Sequence, residues 1–501
     1  MKIVIVGGGI SGWISALLFP IRQPYHEYVI VESPDVKTIG VGEGTTGLFM
    51  TQVINDFFGT PIQEFLRETK ATPKIGIEFN DWKEIGSTYF NPIDGTPTRD
   101  RPFDSTLYFT NIQNSTLDTS SLHGLMKKSK KSPFYRMAGE LRYYDTALHL
   151  DNELTIKYLK KKALNAKNLS YISDTVSEIV KKPNGDVEKI ICEDNIVEGD
   201  IFIDCTGFAR IFSDESDWIS FKDNLPMNSV TTFTREHSGN IDMVTKANAL
   251  SSGWSWEIPT QERYGCGYVN CDSFISQDEV EKEILSVYPD AEIKNSFGFD
   301  SGKLKKSWNN NVISLGLAYH FLEPLQATNI HMTVVQIDTL CTKYLRDTKE
   351  RTINNHIKSS YNRTIDNLIE NFKHYINAHW SSSRNDTEFW KYISKRDHLT
   401  DFTKEIIGLV KSRGLFSSDF PSLYGGTGTQ LWGYTMLGLG HATQEDSFKF
   451  LRELGFYQDG MNEFFNIQNT INQMPLLTYK KLIDKIKVFI KLKFIYFYPY
   501  L

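Results

Sequence analysis

Residues 1–12 read MKIVIVGGGISG, an apolar run of Ile and Val that passes directly into a glycine-rich turn. The run has the length and composition of a buried parallel strand, and Trp13–Phe19 after the turn is typical of a helix. Gly7, Gly9 and Gly12 have the spacing G-x-G-x-x-G. They allow, in that order, a tight turn, close approach of a pyrophosphate to the backbone and close packing of helix on strand. The stretch therefore predicts a dinucleotide site at a helix N-terminus.

A second apolar run, Tyr28–Val31, ends at Glu32 and supports this prediction. A carboxylate at this distance after the glycines can accept hydrogen bonds from a ribose hydroxyl. Gly42 and Gly207 lie in small-residue segments beside apolar runs, where bare backbone suits close contact with a flat ligand. The alternative interpretation, glycine-rich turns without a ligand, stays open at this point.

The composition argues against several classes of protein. The net charge is −6 over 501 residues, so we expect no nucleic-acid partner. The five cysteines form no C-x-x-C pair, which indicates neither a metal site nor a disulfide scaffold. No apolar segment is long enough to span a membrane, and the strand at the N-terminus leaves no room for a signal peptide. We therefore expect a cytoplasmic protein with no bound metal and no transmembrane segment.

The pattern along the chain predicts an α/β fold with a Rossmann-like three-layer core and an inserted, mixed or antiparallel β-sheet. Residues 230–300 are rich in Thr, Val, Tyr and Trp, which is typical of a largely antiparallel sheet. Beyond about residue 335 the pattern is helical and charged. We expect residues 1–335 to form the core interleaved with the inserted sheet, and residues 336–501 to form a mainly helical region over the substrate site.

Residues 253–259, GWSWEIP, lie inside the predicted sheet. Trp254 and Trp256 alternate along a strand and are expected to project to the same face. Core packing and a wall against a ligand both explain such a pair. Lys74 lies near the start of a strand predicted over residues 71–82, and its pattern alone indicates only a surface charge.

Together these motifs resemble the flavin-dependent halogenases, the tryptophan-halogenase-like enzymes. The resemblance extends from residue 1 to about residue 432, and residues 253–259 match the family signature G-W-x-W-x-I-P without a departure. Residues 7–13, which include Ser11 and Trp13, match the family's FAD motif. Residues 384–390, RNDTEFW, resemble R-x-D-x-P-F-W with Glu in place of Pro. Members encoded by viruses are similar in character, and for such a chain the cytoplasm would be that of the host.

The resemblance implies that the dinucleotide is FAD and that the reaction has further participants. A separate flavin reductase supplies FADH2, and a halide is oxidised with dioxygen to hypohalous acid. The acid travels through an internal tunnel to an essential lysine, which Lys74 matches. Lys74 would form a haloamine or hydrogen-bond the acid beside a small aromatic substrate. Trp254, Trp256, Ile258 and Pro259 would line the wall that keeps this substrate off the flavin.

One motif departs from the family pattern. Where the family has E-P-L-E-S-T followed by Gly or Ser, residues 323–329 read EPLQATN. Glu323 is retained among the expected catalytic residues, but Gln326 matches the glutamate that partners the lysine and helps to remove the substrate proton. A neutral amide can orient hypohalous acid and cannot take a proton as a carboxylate does. Thr328 and Asn329 match the positions whose backbone amides hold the halide.

Gln326 also leads to an expectation about substrates. Bromide and iodide are easier to oxidise than chloride, and electron-rich indoles, phenols and anilines lose a ring proton readily. We therefore expect a preference for bromide or iodide and for such aromatic rings. Two alternatives remain, a single-component FAD monooxygenase and a catalytically silent FAD-binding homologue. The sequence leaves open the natural substrate, whether it arrives free or on a carrier, and whether the chain forms a homo-oligomer.

Overall fold

The structure is a computed structural model and describes residues 1–36, 42–55, 62–93, 103–113, 116–137, 140–236, 241–345 and 353–486. Within these ranges the strands are, in chain order, β1 Lys2–Val6, β2 Glu27–Glu32, β3 Glu43–Gly44, β4 Thr72–Lys74, β5 Gly76–Asn80, β6 Thr88–Pro92, β7 Lys131–Met137, β8 Glu140–Tyr143, β9 Ala147–Leu150, β10 Leu169–Ser173, β11 Val176–Lys181, β12 Val187–Cys192, β13 Ile196–Glu198, β14 Ile201–Asp204, β15 Trp218–Ser220, β16 Ser229–Glu236, β17 Val244–Leu250, β18 Gly253–Pro259, β19 Arg263–Asn270, β20 Glu292–Gly298, β21 Gly302–Leu304, β22 Trp308–Asn309, β23 Val312–Ser314, β24 His320–Phe321 and β25 Leu476–Thr478. The α-helices are α1 Ile10–Arg22, α2 Gly47–Phe49, α3 Ile62–Thr69, α4 Ser105–Ile112, α5 Leu122–Lys128, α6 Asn152–Ala163, α7 Gln277–Val287, α8 Thr328–Thr339, α9 Asn355–His379, α10 Glu388–Ser394, α11 Asp401–Ser412, α12 Thr429–Gly438, α13 Gln444–Glu453 and α14 Tyr457–Gln473.

A six-stranded sheet in the order β10-β2-β1-β14-β23-β22 forms the centre of the core. All its pairs are parallel except β22 with β23. Because side chains alternate along a strand, β1 serves two layers. Ile3 and Ile5 pack with the helical side, and Val4 and Val6 pack with the three-stranded sheet β11-β12-β13. This arrangement of helices, parallel sheet and antiparallel sheet is the three-layer core that the sequence predicts.

A seven-stranded sheet in the order β20-β16-β19-β18-β17-β5-β6 forms the inserted part. Its strands from the 230–300 region pair antiparallel, as predicted. The single strand predicted over residues 71–82 is wrong, because the chain changes sheets at Ile75. β4 pairs with β9, while β5 pairs with β6 and β17. Lys74 thus ends a short strand instead of beginning a long one, and no periodicity in the sequence marks such a change of partner.

Beyond residue 335 the regular secondary structure of the described residues is helical except for β25, and this region builds a second apolar core. Tyr375, Trp432 and Phe450 lie in this core together with Leu107 and Phe109 of α4. The division of the chain at residue 335 stays a prediction. Among the described helices, none is both long enough and apolar enough to cross a bilayer.

Candidate active site

The turn between β1 and α1 has the geometry of a phosphate cradle. Gly7 has φ +116°, which favours glycine, and a Cβ on Gly7 would lie 2.3 Å from the backbone oxygen of Cys205. A Cβ on Gly12 would lie 1.9 Å from the oxygen of Gly7, so helix and strand pack closely here. A Cβ on Gly9 would meet nothing within 4 Å. The open space at Gly9 lies where α1 begins, so the predicted dinucleotide fits at the N–H groups of that helix.

Glu32 lies beside this cradle, at the end of β2. One carboxylate oxygen accepts a hydrogen bond from Trp13 Nε1 at 3.1 Å. The other accepts from Lys160 Nζ at 2.5 Å and from the Tyr171 hydroxyl at 2.9 Å. Its aliphatic part packs on Gly8, where a Cβ would lie 2.2 Å from Glu32 Cγ. Glu32 and Trp13, which the sequence assigns to the cofactor, are therefore bonded to each other, and Lys160 and Tyr171 fix the carboxylate.

Ser11 and Gly207 complete the described surroundings of the cradle. Ser11 Oγ lies 3.0 Å from Thr333 Oγ1, which ties α1 to α8. Gly207 follows β14 with φ +65°, and a Cβ there would meet nothing within 4 Å. This second open position, at the carboxyl end of a neighbouring parallel strand, suits a cofactor that lies across the sheet edge.

Gly42 lies at the edge of the described residues, and residues 37–41 of its glycine-rich segment lie outside them. Its φ is +118°, and a Cβ there would lie 3.4 Å from Ile258 Cγ2. Two residues later, a Cβ on Gly44 would lie 2.8 Å from Lys74 Nζ and 3.4 Å from Ala327 Cβ. This segment therefore runs from the GWSWEIP strand to Lys74 and the turn at residue 327.

Lys74 is buried, with 1 % of its surface exposed, which contradicts the surface charge that its pattern alone indicates. Its Nζ donates to the backbone oxygen of Thr45 at 3.2 Å, and no described carboxylate lies within ion-pair distance. Burial lowers the pKa of Lys74 to about 7. The amine is therefore both a cation and a free base near neutral pH. Burial, and to a smaller extent the charge of Lys74, holds the pKa of His149 well below its usual range, and the His149 ring nitrogens lie within hydrogen-bond distance of the Thr72 and Thr245 hydroxyls.

The GWSWEIP strand, β18, lies next to this lysine. The Thr72 hydroxyl, two residues before Lys74, donates to the backbone oxygen of Pro259 at 2.6 Å. Trp254 and Trp256 share a face of the strand, as predicted, with ring centroids 6.0 Å apart. Trp254 is fully buried, whereas Trp256 is half-buried and its Nε1 has no partner among the described residues. Only Trp256 of this pair combines partial exposure with an unused hydrogen-bond donor.

Glu323 is completely buried and has two indole donors. Trp380 Nε1 donates to Oε1 at 2.5 Å, and Trp254 Nε1 donates to Oε2 at 3.4 Å. Burial raises the pKa of Glu323 to about 7, although both indoles favour the carboxylate. The Glu323 carboxyl group therefore links Trp254 of the GWSWEIP strand to Trp380. No sequence motif singles out Trp380 as a partner.

An aromatic cluster surrounds this carboxyl group. Trp82 packs on Trp380 with ring centroids 5.0 Å apart, and Trp380 packs on Trp390 at 5.9 Å. The Arg384 guanidinium lies 4.8 Å above the Trp390 ring, so the 384–390 motif joins the same cluster. Sequence reasoning named this motif but missed Trp82 and Trp380, since large aromatic residues far apart in sequence give no signal that they meet.

Gln326 binds a histidine instead of lying unpaired. Its Nε2 lies 2.9 Å from Nε2 of the buried His379, whose Nδ1 lies 2.9 Å from the Tyr375 backbone oxygen. Burial lowers the pKa of His379 to about 4. His379 was also missed, and nothing in its neighbourhood of the sequence could have found it.

Thr328 and Asn329 form the first turn of α8, after Ala327. Ala327 has φ 55° and ψ 42°, a left-handed conformation that is strained for alanine and occurs often at functional sites. Thr328 is fully buried, and its hydroxyl has no described partner, nor has the Asn329 side-chain oxygen. Free backbone N–H groups and the positive end of the helix suit an anion at this turn.

Within the described residues, no group of three or more His, Cys, Asp or Glu side chains is arranged to hold a metal ion.

Comparison with known proteins identifies the family of this chain. The sequence profile of the tryptophan halogenase family matches residues 2–450. The chain belongs to the tryptophan halogenase family. Tryptophan 7-halogenase RebH of Lentzea aerocolonigenes is 26 % identical over 441 residues, 82 % of each chain. Tryptophan 6-halogenase ThaL of Streptomyces albogriseolus is 27 % identical over 439 residues, 80 % of each chain.

Solved structures of halogenases share the fold. Tryptophan 6-halogenase SttH from Streptomyces toxytricini superposes with a TM-score of 0.84 at 24 % identity, over 96 % of this chain and 99 % of that one. BrvH, a flavin-dependent halogenase from Brevundimonas sp. BAL3, gives a TM-score of 0.80 at 24 % identity, over 97 % and 99 %. The resemblance drawn from the motifs is therefore confirmed, together with the α/β fold class. As a member of the tryptophan halogenase family the chain is an enzyme, and halogenases of this family are flavin-dependent enzymes that act on aromatic substrates with reduced flavin from a separate reductase.

Proposed function

We propose that this tryptophan halogenase family member uses FADH2, dioxygen and a halide to make hypohalous acid and to halogenate an electron-rich indole, phenol or aniline. In the overall reaction an aromatic C–H and HOX become C–X and water. The observation that carries the proposal is the buried Lys74, whose pKa is lowered to about 7 beside the turn at Ala327. A lysine without a described carboxylate partner is costly to bury, and this role gives a reason to keep it.

The cofactor would be held by the cradle and its surroundings. The N–H groups at the start of α1 and the open backbone at Gly9 suit the pyrophosphate, and Glu32 suits the ribose. Ser11, Trp13, Gly42 and Gly207 would complete the cofactor contacts. When bound, reduced flavin supplies the electrons with which dioxygen and halide are converted to hypohalous acid.

The halide would lie at the first turn of α8. Backbone N–H groups of Thr328 and Asn329 and the unpaired Thr328 hydroxyl are donors to an anion there. The half-buried Trp256, with Ile258 and Pro259 on the same strand, would wall the aromatic substrate off from the flavin, and Trp254 would support that wall through Glu323.

Lys74 would act on hypohalous acid that reaches it through an internal tunnel. As an ammonium it donates a hydrogen bond to the acid's oxygen and makes the halogen more electrophilic. As a free amine it would attack the halogen of the acid, so that the O–X bond breaks, a haloamine forms and water leaves with one amine proton. A pKa near 7 makes both forms available at neutral pH.

Gln326 would orient the acid without acting as a base, because an amide does not accept a proton at neutral pH. The neighbouring Glu323 is buried, and its two carboxyl oxygens already accept hydrogen bonds from two indoles. The substrate must therefore release its ring proton readily, and bromide or iodide, which are easier to oxidise, are favoured over chloride. Equal concentrations of the three halides, compared by product yield, test this, and a clear chloride preference would contradict it.

The main experiment combines the chain with a flavin reductase, NADH and FAD and a panel of indoles, phenols and anilines, in each halide. Mass spectrometry should find halogenated products that depend on the reductase. Hydroxylated product together with reductase-independent NADH consumption would favour a single-component monooxygenase instead. FADH2 oxidation with no modified product in any halide would indicate a silent homologue.

A further inference from the structure

His379 ends α9 and is the hydrogen-bond partner of Gln326, although it belongs to no motif. Its imidazole is completely buried, and the rings of Phe79 and Tyr375 lie with centroids 5.0 Å from its own. A ring packed this closely has little freedom to turn. The partners of its two nitrogens therefore decide which one carries the proton.

The tautomer of His379 follows from the backbone of its own helix. Nδ1 lies 2.9 Å from the oxygen of Tyr375, and a carbonyl oxygen can only accept. Nδ1 therefore carries the proton. Because burial lowers the pKa of His379 to about 4, the ring is neutral near pH 7 and has no second proton. Nε2 is left as an acceptor.

This acceptor fixes the Gln326 carboxamide. The Gln326 nitrogen at 2.9 Å must be the donor, because a carbonyl oxygen in that place would face the lone pair of Nε2. The amide oxygen then lies on the other arm of the group, and no described residue donates to it. Gln326 thus has an assigned orientation with a free acceptor.

The backbone next to Gln326 lies close to the lysine. Ala327 Cβ and Lys74 Nζ flank the same point, 3.4 Å and 2.8 Å from a Cβ built on Gly44. The left-handed backbone of Ala327 sets the direction in which the chain leaves Gln326 for α8. We define the halogenation centre as Lys74 Nζ together with the turn at residues 323–328.

We propose that His379 is a positioning residue that keeps the Gln326 carbonyl oxygen available to the halogenation centre as a hydrogen-bond acceptor. The inference rests on the proposed function. The oxygen accepts from the O–H of hypohalous acid while Lys74 donates to the acid, so the halogen is held in one direction. No bond forms or breaks at Gln326 or His379. The histidine thus supports a neutral amide in the place where the family has a carboxylate.

Three variants test this with one readout, halogenated product per FADH2 oxidised. His379→Phe keeps an aromatic ring in the packed site but removes the acceptor, and product per FADH2 should fall about tenfold, the size expected for one positioned hydrogen bond. His379→Gln provides an amide oxygen near the place of Nε2 and should restore the yield to within about threefold of wild type. His374→Phe changes a histidine on the same helix that bonds to Thr400 and should leave the yield unchanged.

A second measurement remains informative if His379→Phe folds poorly. Gln326→Met removes the amide, nearly keeps its volume and leaves His379 in place, so product per FADH2 should fall about tenfold whether or not His379→Phe folds. Where both single variants fold, the double variant of His379→Phe and Gln326→Met should be no worse than either of them. Additive losses, or equal losses in His379→Phe and His379→Gln at normal FAD binding and melting temperature, would reduce His379 to a packing residue and overturn the inference. A wild type without halogenated product in any halide would overturn the proposed function itself.

Discussion

The cradle at residues 7–12 and the halogenation centre at Lys74 are built in opposite ways. The cradle is a continuous piece of backbone, and its geometry is set by which positions lack a Cβ. The halogenation centre combines Lys74 of β4 with the turn at 323–328, its neighbours come from β18 and the end of α9, and the side chains concerned are mostly buried. Local backbone geometry would hold a cofactor that many enzymes share, whereas long-range burial sets the pKa values on which the proposed reaction depends.

Substitution of Lys74 should have the largest effect, because it should abolish the reaction at the halogenation centre and leave the cradle intact. Lys74→Ala should lower halogenated product by roughly 100-fold or more, the range of a lost acid–base or nucleophilic group, while FADH2 oxidation and FAD binding persist. The assay compares product by mass spectrometry with oxygen consumption. Lys83→Ala, which changes a partly exposed lysine nine residues later in the chain, serves as control and should match wild type. Parallel loss of FADH2 oxidation in Lys74→Ala would mean that the two regions do not work independently.

Two glycine variants in the cradle separate an effect on folding from an effect on FAD binding. Gly12→Ala puts a Cβ 1.9 Å from the Gly7 oxygen, so it should destabilise the fold by about 1–3 kcal/mol, as overpacking does, and weaken FAD binding. Gly9→Ala meets nothing within 4 Å and should keep the melting temperature of the apoprotein. It should still weaken FAD binding, since its methyl group enters the space assigned to the pyrophosphate. Melting curves and FAD titrations measure both effects. Normal FAD affinity in Gly9→Ala would contradict the assignment of the pyrophosphate to this turn.

Loss of a hydrogen bond to Glu323, which supports Trp254, should have a smaller effect on product formation. Trp380→Phe removes the 2.5 Å donor to Glu323 and leaves a buried oxygen unpaired. We expect about a threefold to tenfold loss of product per FADH2, since an unsatisfied buried acceptor costs about 1–3 kcal/mol and only part of that reaches the wall. Trp308→Phe is the matched control, because Trp308 is equally buried and its Nε1 has no described partner. Equal losses in both variants would mean that volume, and not the hydrogen bond, matters.

The smallest effect concerns stability and pH. The pKa of Lys74 is about 7 in the folded chain and about 10.4 when unfolded, so between these values the unfolded chain binds more protons and stability rises with pH. At pH 7 and below, the cost of burying the charge is present in full. Lys74→Met should therefore melt higher than wild type at pH 7, by roughly 1–3 °C for a chain of this size, and the difference should vanish toward pH 10. A constant difference across this range would show that Lys74 titrates normally.

The sequence by itself determined the cradle, because G-x-G-x-x-G, its flanking strand and helix, and the acid at Glu32 are local in the chain. Through the GWSWEIP motif it also determined the family, and the alternation of Trp254 and Trp256 predicted their shared face. What it could not determine was the burial of Lys74, which depends on a chain that changes sheets at Ile75. Nor could it find Trp380 beside Glu323, or His379 beside Gln326, since these partners are more than 50 residues apart. Only the tertiary structure brings such residues together, and desolvation in that setting decides which groups carry a proton.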